Sequence, residues 1–89
     1  MDKKIPCRAP GIPWQSFEDG AVLISPKISL VHELNETGAF IWAQADGTRD
    51  ITEIAKNVIE EFEVEPSVAT ADVENYLLGL DQDGLVLWK

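Results

Sequence analysis

One cysteine and one histidine are all that this 89-residue chain offers for thiol or imidazole chemistry. A lone Cys7 excludes an internal disulfide framework and fits a reducing cytosol. Zinc needs three or four Cys, His or carboxylate ligands, so one Cys and one His leave carboxylates to fill any site. Long apolar runs are missing too. None approaches the roughly 18 residues of a membrane span, and the opening MDKKIPCRAPGIPW has no signal-peptide core. A soluble, cytoplasmic chain with no membrane partner is expected. The six glycines are scattered and form no GxGxxG or GKS/T, which leaves no phosphate cradle and no expected cofactor.

Positive charge is also scarce. Seven Lys/Arg stand against sixteen Asp/Glu, for a net charge of −9. Between Asp46 and Asp83 eleven acids face only Arg49 and Lys56, a half that repels phosphate backbones. The bases Lys3, Lys4 and Arg8 sit instead in a proline-rich start. Acidity of this kind serves solubility first and a basic partner second.

What is present suits one small globular domain with a modest core. Residues 1–13, with Pro6, Pro10, Gly11 and Pro13, read as a flexible arm before a single domain over 14–89. Three short strands follow, at about 14–18, 20–25 and 28–33, in an antiparallel meander. Asp19-Gly20 is the pair that favours a type I′ hairpin turn, and Pro26-Lys27 makes the second break. Asn35 reads as an N-cap for a helix over about 36–45 that buries Thr37, Ile41, Trp42 and Ala45. Asp46-Gly47 ends that helix. Asp50 and Glu53 have capping-box spacing for a helix at 51–62, with Ile51, Ile54, Ala55, Val58, Ile59 and Phe62 on one stripe. Pro66 opens a third helix with Ala69, Val73, Tyr76, Leu77 and Leu80 on its buried face. Gly84 stops it, and LVLW forms a short strand or tail. Strands then helices define an α+β, winged helix-turn-helix-like arrangement.

No catalytic set emerges. His32 would need Cys7 or a serine beside it, and Cys7 lies in the arm. Glu60-Glu61 and Asp81/Asp83 fall on solvated helix ends rather than in a pocket that separates two carboxyl pKa values. The winged-helix pattern raises DNA binding, but the helix in the recognition position carries Asp72, Glu74 and Asp81 and neither Lys nor Arg. Reading helices use Arg or Lys on guanine and phosphate, so no nucleic acid partner is expected.

The run ELNETGAFIWAQADGTRDITEIAKNVIEEF, followed by ADVENYLLGLDQDGLV, resembles the family of the coenzyme PQQ synthesis protein D. These PqqD-like proteins are also called RiPP recognition elements. The shared features are Leu34-Asn35-Glu36-Thr37-Gly38, Ile41-Trp42, Asp46-Gly47, Ile51/Ile54, Phe62, Asp72-Val73, Leu77/Leu80 and Gly84-Leu85, within about residues 28–87. The resemblance implies a non-catalytic peptide chaperone that binds the leader of a ribosomally made precursor peptide. The leader would add as a strand along Ile28, Ser29, Leu30, Val31, His32 and Glu33, walled by Asp72, Asn75, Tyr76 and Gly79 of the third helix. It also implies a modifying enzyme as partner, such as a radical SAM protein, a peptidase or a cyclase, in natural-product or cofactor (PQQ) biosynthesis. The arm and LVLW are candidate surfaces for that enzyme. The alternatives are a winged-helix regulator, or a small interaction domain whose open strand edge pairs with a second copy as a homodimer.

Overall fold

The computed structural model describes residues 5–24 and 31–89. In chain order the elements are β1 (Pro6–Arg8), β2 (Trp14–Phe17), β3 (Gly20–Ile24), β4 (Val31–Asn35), α1 (Glu36–Gln44), α2 (Ile51–Phe62), α3 (Pro66–Gln82) and β5 (Val86–Trp88). Strands β2, β3 and β4 form an antiparallel sheet in that spatial order, and the three helices follow it. The α+β, winged-helix-like expectation is the architecture observed. The segment over 25–30, which carries the expected break at Pro26-Lys27 and the start of the third strand, lies outside the described residues.

The first hairpin differs from expectation in its turn. Phe17 pairs with Gly20, so the two loop residues are Glu18 and Asp19, and Gly20 already belongs to β3. Neither loop residue has positive φ, as a type I′ turn would require. Gly20 serves a close approach instead: a Cβ there would collide with the Leu34 carbonyl oxygen of β4. The glycine is needed by the neighbouring strand, not by the turn.

The helices form where cap and stripe agree. Asn35 Oδ1 accepts the Gly38 amide at 2.8 Å and starts α1. In α2 both halves of the capping box are made, Glu53 N–H to Asp50 Oδ1 at 2.8 Å and Asp50 N–H to Glu53 Oε1 at 3.2 Å. Asp50→Ala should therefore destabilise the domain by about 1 kcal/mol. In urea the unfolding midpoint should fall by roughly 0.5–1 M at an ordinary m value, and an unchanged midpoint would contradict the cap. Pro66 occupies the first turn of α3, where its missing N–H has no intrahelical partner to lose. Gly84, at φ +74°, turns the chain back.

The core lies between the inner face of the sheet and the helices. Leu23, Ile41, Trp42, Ala45, Ile54, Val58, Ala69, Val73, Leu77, Leu80 and Leu85 are all buried in it. Thr37, expected inside, is only half-buried, and Tyr76 packs at the margin. Trp14 meets Trp42 edge-to-face at 5.9 Å, and Phe40 meets Phe62 likewise at 5.4 Å. Between α1 and α2, Asp46 accepts the Thr48 hydroxyl and the Thr48 amide and pairs with Arg49 at 2.9 Å. The Thr48 hydroxyl above all holds the Asp46 carboxyl below the ordinary aspartate range; desolvation opposes it, and the Thr48 amide and Arg49 add to the lowering.

Residues 6–8 are not a free arm. β1 pairs antiparallel with β5, matching Pro6 to Trp88 and Arg8 to Val86. On its other side the Arg8 amide donates to Ala45 O at 2.8 Å, and Gly47 N–H donates to Pro6 O at 3.0 Å. The Arg8 guanidinium then donates to the Trp42 and Ala43 carbonyls, at 3.1 and 2.8 Å, at the end of α1. A cation there complements the helix C-terminus, whose own last turn carries no base. The sequence hides this because the two strands are three residues each and lie about eighty positions apart.

Candidate functional site

Ile24 N–H donates to Pro13 O at 3.0 Å, which points the backbone of Ile24 toward β2. Backbone direction alternates along an antiparallel strand, so Leu23 turns its polar groups to β4. Leu23 is matched with His32 and Ala21 with Leu34, so His32 and Leu34 bond inward to β3. Val31 and Glu33 therefore direct their N–H and C=O away from the sheet, at the edge of β4 that no described strand pairs with, an open edge among the described residues.

Side chains alternate as well. His32 and Leu34 share the inner face with Ala21 and Leu23, and there they meet α3. A groove of about 210 Å³ runs between β4 and α3, lined by His32, Leu34, Asn75, Tyr76, Gly79, Leu80 and Asp83. Its floor is apolar, from Leu34, Leu80 and the Tyr76 ring. Its rim is polar, and His32 Nδ1 stands 3.6 Å from Asp83 Oδ2 across it. The open backbone edge and the groove thus lie side by side.

Tyr76 is fixed from two directions. Its hydroxyl donates to Asn35 Oδ1 at 2.6 Å, the same oxygen that caps α1. A Cβ on Gly38 would stand 2.6 Å from Tyr76 Cε1, so the bare glycine makes room for the ring. One asparagine oxygen and one missing methyl hold the end of β4, the start of α1 and the middle of α3 together. Tyr76→Phe should cost about 1 kcal/mol for the lost hydrogen bond. Gly38→Ala should cost about 1–3 kcal/mol, because the ring must leave its place. Denaturant titration of both variants checks the order; the reverse order would overturn the steric account.

Of the residues expected at a site, His32, Asn75, Tyr76 and Gly79 come together in the groove. Apart from the backbone of its own helix and its chain neighbours, no described atom lies within 4 Å of where a Gly79 Cβ would stand, so that stretch of helix is open. Val31 and Glu33 contribute backbone at the edge while their side chains face the other side of the sheet. Asp72, one turn before Tyr76, is not among the groove-lining residues. Ile28, Ser29 and Leu30 lie outside the described residues. Leu34, Leu80 and Asp83 were not anticipated, and Asn35 was expected only as a cap. Their signal is nonetheless present: Leu34 has the strand parity of His32, and Leu80 and Asp83 continue the Tyr76 face at i+4 and i+7.

Among the described residues no group of three or more His, Cys, Asp or Glu could hold a metal ion. No described helix is long and apolar enough to cross a membrane.

A winged-helix-like α+β domain whose sheet ends in an open strand beside a helix-walled groove is the class that these features define. The sequence profile of the family described as Coenzyme PQQ synthesis protein D (PqqD) matches residues 20–86. The chain belongs to the PqqD family. No curated protein matches the sequence. Among solved structures, the lasso peptide synthetase B1 complexed with the leader peptide is 24% identical with a TM-score of 0.79, covering 93% of this chain and 98% of that one. TbiB1 in complex with the TbiA(beta) leader peptide is 19% identical with a TM-score of 0.78, covering 90% and 93%. The PqqD truncation of Methylobacterium extorquens PqqCD, a RiPP recognition element, is 21% identical with a TM-score of 0.74, covering 92% and 87%. These likenesses establish the fold.

Proposed function

We propose that this chain is a recognition domain, not a catalyst, that binds the leader of a ribosomally synthesised precursor peptide. The leader adds as an antiparallel strand to β4 and seats alternate side chains in the groove against α3. The observation that carries this reading is the open β4 edge, with Val31 and Glu33 backbone groups directed outward beside a groove of about 210 Å³. An exposed strand edge supplies affinity through backbone hydrogen bonds, and adjacent pockets supply specificity. Family membership supports it, and two of the similar structures are complexes of other proteins with leader peptides.

The groove has room for an apolar leader side chain over Leu34 and Leu80, with Asp83 at the rim for a basic one. An exposed ion pair of that kind contributes only ~0–1 kcal/mol, so apolar contact and strand pairing dominate. The bound leader is presented to a modifying enzyme, drawn from the radical SAM proteins, peptidases and cyclases that such domains serve. Holding the leader raises the effective concentration of the rest of the precursor at that enzyme.

The test is a search of the neighbouring genes for a short precursor reading frame, followed by an amide-shift titration with its leader. Shifts are expected on 31–35 and on 75–83. No binding at about 100 μM leader, with the modifying enzyme also present, sinks the proposal. Tight, salt-dependent binding to duplex DNA would favour a winged-helix regulator instead.

A further inference from the structure

The sheet has a second face, and none of the described helices covers it. Ala21 and Leu23 of β3 turn into the core, so Val22 and Ile24 turn out. Across the strands Gln15, Val22 and Glu33 form one row, and Ile24 stands opposite Val31 in the next. Phe17, Ile24 and Val31 are 54%, 45% and 59% exposed, an unusual density of large apolar groups on one small sheet face. A cleft of about 260 Å³ opens there, lined by Pro13, Trp14, Gln15, Phe17, Val22 and Ile24. It is larger than the groove beside α3 and lies on the opposite side of the sheet.

The margin of this face is acidic. Glu18 and Asp19 are exposed at the hairpin end, and Glu33 stands beside Val22 on the same face. Residues 14–24 and 31–35 contain neither Lys nor Arg. Two copies meeting through this face would bring together chains that each carry a net charge of −9, with Glu18, Asp19 and Glu33 of both copies in or beside the interface. Like charge on both partners opposes association, which argues against a second copy. The surface fits a different protein, apolar at its centre and rich in Lys and Arg at its edge.

We propose that this outer sheet face, centred on Phe17, Val22, Ile24 and Val31, is the docking surface for the enzyme that modifies the bound peptide. The identity of the partner rests on the peptide-binding reading above. A peptide strand added to β4 extends the same sheet, so half of its side chains continue this face next to Val31. An enzyme docked here touches domain and peptide at once, with the precursor leaving the sheet beneath it. The sequence pointed to residues 1–13 and LVLW as enzyme surfaces. In the structure the β1 and β5 backbones pair with each other and Leu87 stays exposed, while Phe17, Ile24 and Val31 gather on one sheet face.

The experiment uses a purified radical SAM protein, peptidase or cyclase sought among the neighbours of this chain's gene, titrated into the full chain by calorimetry. The variants are the double change Phe17→Thr/Ile24→Thr and the charge reversal Glu18→Lys/Asp19→Lys. Leader affinity and thermal midpoint are measured on each in parallel. The apolar variant is expected to weaken enzyme binding about tenfold or more while leader affinity stays within about twofold. The charge reversal should weaken it too, and wild-type binding should fall as salt rises from about 50 to 300 mM. Should the apolar variant fail to fold, the charge reversal and the salt series still decide. Unchanged enzyme affinity in the folded variants overturns the proposal, as does absence of enzyme binding to wild type at about 100 μM. A wild-type dimer that Phe17→Thr/Ile24→Thr dissociates overturns it in favour of a self-interface. Leader that fails to bind wild type overturns the groove reading, while the enzyme titration still reports on the sheet face by itself.

Discussion

Glu33→Pro is expected to weaken leader binding by about tenfold or more while leaving the domain folded. Proline removes an N–H and suits an edge strand only where that N–H faces outward. Glu33 meets this condition, because His32 and Leu34 make the bonds to β3. The lost hydrogen bond is worth about 0.5–1.5 kcal/mol, and the ring also obstructs the approach of a new strand. At 1.4 kcal/mol per tenfold, a fall of one to two orders of magnitude follows. The neighbouring change, His32→Pro, should do the reverse: it breaks a bond inside the sheet and should lower the thermal midpoint. Calorimetric leader titration and thermal unfolding of both variants check this alternation. If Glu33→Pro binds leader like wild type, strand addition at β4 is wrong. If it unfolds while His32→Pro does not, the bonding frame of the strand is wrong.

Trp42→Ala should produce the largest loss of stability in the chain. The ring is fully buried, touched edge-on by Trp14, and its backbone carbonyl receives the Arg8 guanidinium. Removing a buried tryptophan costs about 3–5 kcal/mol. A domain of this size holds toward the low end of the usual 5–15 kcal/mol. The thermal midpoint should fall by roughly 15–30 °C, enough to leave much of the population unfolded at 37 °C. Trp42→Phe should cost much less. The buried indole N–H has no hydrogen-bond partner among the described residues, so phenylalanine removes an unsatisfied donor along with part of the packing. Equal losses for the two substitutions would mean that the indole nitrogen contributes what the geometry denies it.

The two changes separate parts of the molecule that were unequally legible in the sequence. Trp42, the Asp50 capping box and the α2 stripe could be placed from spacing alone, because a helix writes its pattern within a few residues. The Glu18-Asp19 loop could not, because Gly20 answers to the Leu34 carbonyl, a neighbour across the sheet. Arg8 fares the same way. It reads as part of a loose basic start, yet it caps α1 from 34 residues away. The groove sits between these cases. His32, Asn75, Tyr76 and Gly79 were legible through family resemblance, and periodicity extends that list to Leu34, Leu80 and Asp83. What neither gave is the bond from Tyr76 to Asn35, which joins a helix to a cap 41 residues earlier. Nothing in local composition announces a contact of that range.

The pairing of β1 with β5 sets where the chain enters and leaves the domain. Lys89 N–H donates to Ile5 O at 2.9 Å, so the two ends of the described fold lie side by side. A domain with this geometry behaves as a cassette: it can be carried in a loop or at either end of a larger enzyme without stretching its host. Joining it there would exchange a diffusive encounter for a tether.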